Sequence, residues 1–180
     1  MSVKKDFILP IIVLSVICLV VSGALAIVNN LTLPVIEKAD AERAAAARKE
    51  IIPAADGFEL LQIDDLPKRV VEAYRATNDT GYIFMVNVIG YGGEIRVICG
   101  VDPDGKVIRS AVLAHNETQG LGTPIFEQPH AGQYWGRDKN GIEGVEAISG
   151  ATITSNAYKN AIRDSLAAFE IITAKTKEAR

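Results

Sequence analysis

Apolar residues run unbroken through the first part of the chain. No charge occurs from Phe7 to Asn30. A helix needs about 20 such residues to cross the hydrocarbon core of a bilayer, so the pattern predicts a transmembrane helix over residues 7–30, with residues 1–6 before it. Beyond it the pattern turns mixed. Thr32-Leu33-Pro34 predicts a break and a fresh helix start, because proline is tolerated in a first turn. The next stretch, to Ile52, is rich in Ala, Glu, Lys and Arg and reads as a helix leaving the membrane surface, stopped by Pro53. Residues 54–67 read as a mixed connector and Lys68 to Arg75 as a short helix. Residues 31–75 then form a juxtamembrane helical connector.

From residue 76 the period changes to two. Gly81 to Ile89, Gly92 to Val101 and Lys106 to Ala114 are rich in β-branched and aromatic residues. Asp102-Pro103-Asp104-Gly105 between the last two is a turn. The three runs predict an antiparallel meander, and so small a sheet needs a covering layer. Tyr158, Ala161, Ile162, Ser165, Leu166, Phe169 and Ile172 recur at helical spacing and supply one. The fold class is therefore α+β: one transmembrane helix, then a domain over residues 76–180 with an antiparallel sheet packed by helices.

A cleaved signal peptide is the competing reading of the first segment, with Ala24-Leu25-Ala26 as the processing site. The apolar run exceeds the ~7–15 residues of a signal core, which favours a retained anchor. Lys4 and Lys5 precede the span, and basic residues stay on the cytoplasmic side. That puts the remainder outside the cytoplasm. The net charge of −3 gives no reason to expect nucleic-acid binding. Cys18 and Cys99 fall on opposite sides of the membrane boundary, and neither they nor His115 and His130 have metal-ligand spacing.

Three segments carry candidate chemistry. Ser149-Gly150-Ala151-Thr152-Ile153-Thr154-Ser155 opens the C-terminal helix, where free amides and the dipole favour a phosphate. An ordinary Ser/Thr cap is the alternative, and local chemistry does not choose among the hydroxyls. His115 to Thr123, with Glu117, Thr118, Gly120, Leu121 and Gly122, forms a loop after the third strand. Gly90-Tyr91-Gly92-Gly93 joins the first two strands.

Together with the single span and Arg48-Lys49-Glu50-Ile51-Ile52-Pro53, these motifs resemble the G subunit of the Rnf complex, an ion-translocating ferredoxin:NAD⁺ oxidoreductase. The chain is more distantly similar to the C subunit of the Na⁺-translocating NADH:quinone reductase. The resemblance covers nearly the whole chain. It implies FMN attached as a phosphoester to Thr152 by a dedicated flavin transferase. It further implies an electron-relay role among other complex subunits at the inner cell membrane, with no turnover by the subunit alone. Ser149, Gly150, Ala151, Thr154, Ser155, Glu117, Thr118, Gly120, Leu121, Gly122 and Tyr91 would surround the cofactor; Trp135 is a further candidate for packing on the ring, with a core aromatic as the more ordinary reading. Two positions depart from the family pattern: Glu146 stands where Asp is usual, and Gln119 replaces the Pro of Glu-Thr-Pro-Gly. A flavinylated carrier serving another extracytoplasmic reductase, a quinone-reductase C-like subunit, and an anchored sensor or scaffold without cofactor are the rival readings.

Overall fold

The computed structural model describes residues 3–63 and 65–178. Met1 and Ser2 lie outside the described residues, as do the side chains of Lys4, Lys5 and Phe7. The chain divides into two compact units, Met1–Arg43 and Ala44–Arg180.

The first unit is helical. It belongs to α1 (Val3–Ile51), which contains Pro10 and Pro34. From Ile8 onward α1 is long and apolar enough to cross a membrane, with a mean hydropathy of 3.0 over an 18-residue stretch. Its large apolar side chains, Ile8 through Ile36, are exposed, so they form an apolar surface without a protein partner. Such a helix suits a single-pass anchor. The expected break at Thr32-Leu33-Pro34 is absent. Proline removes the amide that would bond the Asn30 carbonyl, yet the helix runs on through Pro34 to Ile51. Apolar surroundings leave the neighbouring backbone no other partner than the helix.

The second unit holds a five-stranded antiparallel sheet in sequence order: β1 (Phe58–Leu60), β2 (Val70–Ala76), β3 (Tyr82–Ile89), β4 (Glu94–Val101) and β5 (Val107–Ala114). The three predicted strands are β3 to β5. The predicted helix at Lys68 to Arg75 is corrected to a strand, β2, which pairs along β3 from Val70↔Val86 to Arg75↔Tyr82. β1 lies in what reads as connector and pairs with β2. Both faces of the sheet are covered. Phe84, Val86 and Val88 point to one face, where α2 (Thr152–Glu178) lays Tyr158, Ala161, Ile162, Leu166 and Phe169 against them. Ile83 and Met85, the alternate residues, point to the other and meet Ile51, Ile52 and Ala55. Alternation in β3 is thus between two cores, which is why its run reads apolar throughout.

Cys99 is buried in the α2-side core, and burial pushes its thiol up to about 12. It behaves there as a small apolar residue. Cys18 is exposed on α1, and both cysteines are free.

Candidate functional site

Thr152 is the first residue of α2, and Ala151 is the residue before it. Ser155 N–H donates to the Ala151 carbonyl at 2.9 Å, the first bond of the helix ladder. Ala151 thus occupies the cap position and has no side-chain oxygen, so a Ser/Thr cap does not account for this sequence. The first-turn amides lack acceptors within the helix and present the positive end of the dipole. Gly150 turns the chain into this position with φ +82°, a conformation that glycine adopts at little cost. A Cβ there would meet nothing within 4 Å. The glycine is needed for the turn and not to clear space for a ligand.

The hydroxyls of this segment differ sharply. The Thr154 hydroxyl donates to Glu117 Oε2 at 2.8 Å, and Thr154 is 1 % exposed. Ser155 Oγ accepts from the Ile148 amide at 3.1 Å, and Ser155 is also 1 % exposed. Ser149 and Thr152 are exposed. Only Thr152, of those two, lines the cavity described next.

That cavity has a volume of about 440 Å³, within the ~300–1,000 Å³ usual for small-molecule sites. Its walls come from three places in the sequence. Gly150 to Thr154 form one side, Glu117, Thr118, Leu121 and Gly122 a second, and Tyr91 a third. Tyr91, Leu121 and Ile153 expose large apolar surfaces there. The sequence thus brings most of its predicted site residues to one place. Ser149, Ser155 and Gly120 are adjacent in the chain but do not line the cavity. Trp135 is elsewhere: Arg109 lies over its ring, 4.9 Å from the centroid. Glu146 and Gln119 are exposed and off the cavity wall. Ile153 is a lining residue that sequence reasoning missed. Its signal is a large apolar side chain in the first turn of α2, off the stripe that packs on the sheet.

Glu117 joins the three walls. It is 8 % exposed. Its Oε1 accepts from the Gly92 amide at 2.9 Å, while Oε2 takes the Thr154 hydroxyl. An ionised carboxylate only accepts hydrogen bonds, and here each oxygen has a donor. The loop glycines make room for it. A Cβ on Gly122 would come 2.7 Å from Glu117 Oε2, one on Gly90 would collide with Oε1, and one on Gly92 would collide with the Asn116 carbonyl. Gly90 and Gly122 thus serve packing around a carboxylate, and Gly92 a close approach to the backbone of Asn116. Among the described residues, no group of His, Cys, Asp and Glu is arranged to hold a metal.

Behind the cavity lies an aromatic layer. Phe126 packs against His115 and Tyr158, with centroids 5.1 and 5.7 Å away. Tyr158 donates its buried hydroxyl to Ser110 Oγ at 2.9 Å. Burial raises the phenols of Tyr158 and Tyr134, the latter to about 12. His130, stacked edge-on to Tyr134, has its pKa lowered by burial and by Lys159.

Residues 90–167, which carry all three walls, match the FMN-binding domain family. The chain is 33% identical to the G subunit of the ion-translocating oxidoreductase complex of Methanosarcina acetivorans, over 92% of this chain and 96% of that protein. It is 28% identical to the G subunit of the Na⁺-translocating ferredoxin:NAD⁺ oxidoreductase complex of Acetobacterium woodii, over 88% of this chain and 89% of the relative. It is 27% identical to the G subunit of the proton-translocating ferredoxin:NAD⁺ oxidoreductase complex of Clostridium ljungdahlii, over 85% of this chain and 86% of the relative. With an N-terminal apolar helix, an FMN-binding domain and this similarity along nearly its full length, the chain belongs to the G-subunit family of ion-translocating oxidoreductase complexes.

Proposed function

We propose that the protein relays electrons within a membrane-bound complex of the Rnf type, through FMN joined by its phosphate to the Thr152 hydroxyl. The complex would pass electrons between ferredoxin and NAD⁺ and couple them to Na⁺ or H⁺ movement, as its relatives' names state for theirs. Orientation follows from Lys4 and Lys5: the N-terminus is cytoplasmic and the flavin domain is extracytoplasmic. Of the expected connector over residues 31–75, β1 and β2 belong to the sheet, which leaves the part of α1 beyond residue 30 to lead from the anchor.

The observation that carries the choice of Thr152 is the state of the hydroxyls. Thr154 and Ser155 are buried and engaged, whereas Thr152 is exposed and lines the cavity. The residues present fit a flavin phosphate ester. First-turn amides of α2 suit the phosphate, Thr118 and the Gly122 loop suit the ribityl chain, and Tyr91, Leu121 and Ile153 offer apolar surface for the ring. When bound, the flavin supplies the electron chemistry, and the protein supplies orientation and electrostatics.

The ester requires outside help. Among the described residues Glu117 is the one carboxylate on the cavity wall, and both its oxygens are taken. No general base therefore stands ready to activate the Thr152 hydroxyl. A flavin transferase would bring FMN with its phosphoryl group in a pyrophosphate link, and the base. The Thr152 oxygen would form the new P–O bond as its proton passes to that base, while the P–O bond of the pyrophosphate breaks and the other half leaves as a phosphate monoester. The deciding experiment is co-expression with a flavin transferase, followed by in-gel fluorescence of the denatured protein and peptide mass spectrometry. FMN mass on the Thr152 peptide, lost in Thr152→Ala and kept in Thr154→Ser, is expected. FMN mass on another residue refutes the assignment.

A further inference from the structure

Among the described residues the flavin cavity has one charged side chain on its wall, Glu117, and no Lys, Arg or His. Glu117 is 8 % exposed, and its oxygens are held by the Gly92 amide and the Thr154 hydroxyl. The positive end of α2 faces the same cavity, but the phosphate ester on Thr152 would neutralise it. What remains in the same cavity is a fixed carboxylate in a largely apolar wall, where charges interact more strongly than in water.

We propose that Glu117 sets the reduction potential of the flavin, holding it more negative than a neutral wall would. The inference rests on the flavin reading above. Electrons delivered to the ring add negative charge to a cavity that already holds a negative side chain, so the oxidised form is favoured. A low potential keeps a relay able to pass electrons onward to acceptors of low potential. The hydrogen bonds to Gly92 and Thr154 keep the charge in place, so Glu117 is a positioning and tuning residue and makes no bond in the reaction.

Glu117→Gln separates charge from shape. Its amide oxygen still accepts from Gly92, and its NH₂ donates to Thr154 Oγ1 in place of the reverse bond. Spectroelectrochemical titration of the flavin-loaded, full-length protein should show a more positive midpoint potential in Glu117→Gln. Thr154→Val loses the hydrogen bond but keeps the charge, and its midpoint should not rise. Thr118→Lys places a cation on the exposed rim of the same cavity and should raise the midpoint with Glu117 intact. An unmoved potential in Glu117→Gln overturns the proposal, and so does an equal rise in Thr154→Val, which would make loop geometry the cause. If Glu117→Gln takes up no flavin, Thr118→Lys decides: a raised midpoint supports electrostatic control and an unmoved one overturns it. A wild-type protein that takes up no flavin in the presence of the transferase would instead refute the cofactor reading itself.

Discussion

Replacing Thr154 by valine should weaken the domain measurably, although it removes one oxygen and keeps the side-chain shape. Thr154 is buried and its hydroxyl is the donor to Glu117 Oε2 at 2.8 Å. The change leaves a buried charged acceptor short of one partner. Hydrogen bonds to charged groups are worth about 1.5–3 kcal/mol, and Glu117 is too enclosed for water to replace the donor freely. A loss of about 2 kcal/mol would lower the melting temperature by roughly 6–8 °C for a domain of this size. Trp135, the single tryptophan, packs against the α2-side core, so its fluorescence reports melting of the full-length protein in detergent. Thr154→Ser restores the donor, loses a methyl group, and should fall between wild type and Thr154→Val. If Thr154→Val melts with the wild type, the clasp contributes nothing and the account of these walls is wrong.

Gly92→Ala should cost about 1–3 kcal/mol and reduce flavin loading, because the added Cβ would collide with the Asn116 carbonyl; thermal melting and in-gel fluorescence read both. Tyr158→Phe should cost about 1 kcal/mol by stranding Ser110 Oγ in the core, measured by the same melt. His130 has its pKa lowered below the ordinary 6.5, so the unfolded chain binds a proton more readily than the folded one. Stability should therefore fall as pH drops from about 6.5 through the lowered pKa, and His130→Gln should flatten that part of the pH–melting curve; an unchanged slope refutes the assignment. The exposed apolar surface of α1 should keep the protein in the membrane fraction after alkaline carbonate washing, and release into the supernatant would refute an integral anchor.

β3, β4 and β5 are legible in the sequence because each run is β-branched and the turn at Asp102 to Gly105 separates two of them. β2 is not, since Val70-Val71-Glu72-Ala73-Tyr74-Arg75-Ala76 mixes helix formers with charges, and pairing to β3 outweighs local preference. Continuity of α1 through Pro34 is hidden because proline reads locally as a helix start, whereas one lost ladder bond does not outweigh the many on either side of it. At the site, the segments converge as read, but the distinction among hydroxyls depends on Glu117, which is 37 positions from Thr154. No local pattern contains that pairing. Trp135 reads first as a core aromatic and only second as a ring-packing candidate, and it packs against the α2-side core with Arg109 over its ring, off the cavity wall.

The burial of Ile51 and Ile52 bears on how a water-soluble version should be cut. Pro53 looks like a natural place to sever the anchor, since α1 ends at Ile51. Yet Ile51 and Ile52 pack with Ile83, Met85 and Ile98, and Arg48 lies 4.4 Å over the Tyr74 ring. Starting at Ala54 would strip one face of the sheet and leave a greasy patch prone to self-association. Starting at Ala44 would discard the membrane-crossing stretch while keeping the residues that seal that face.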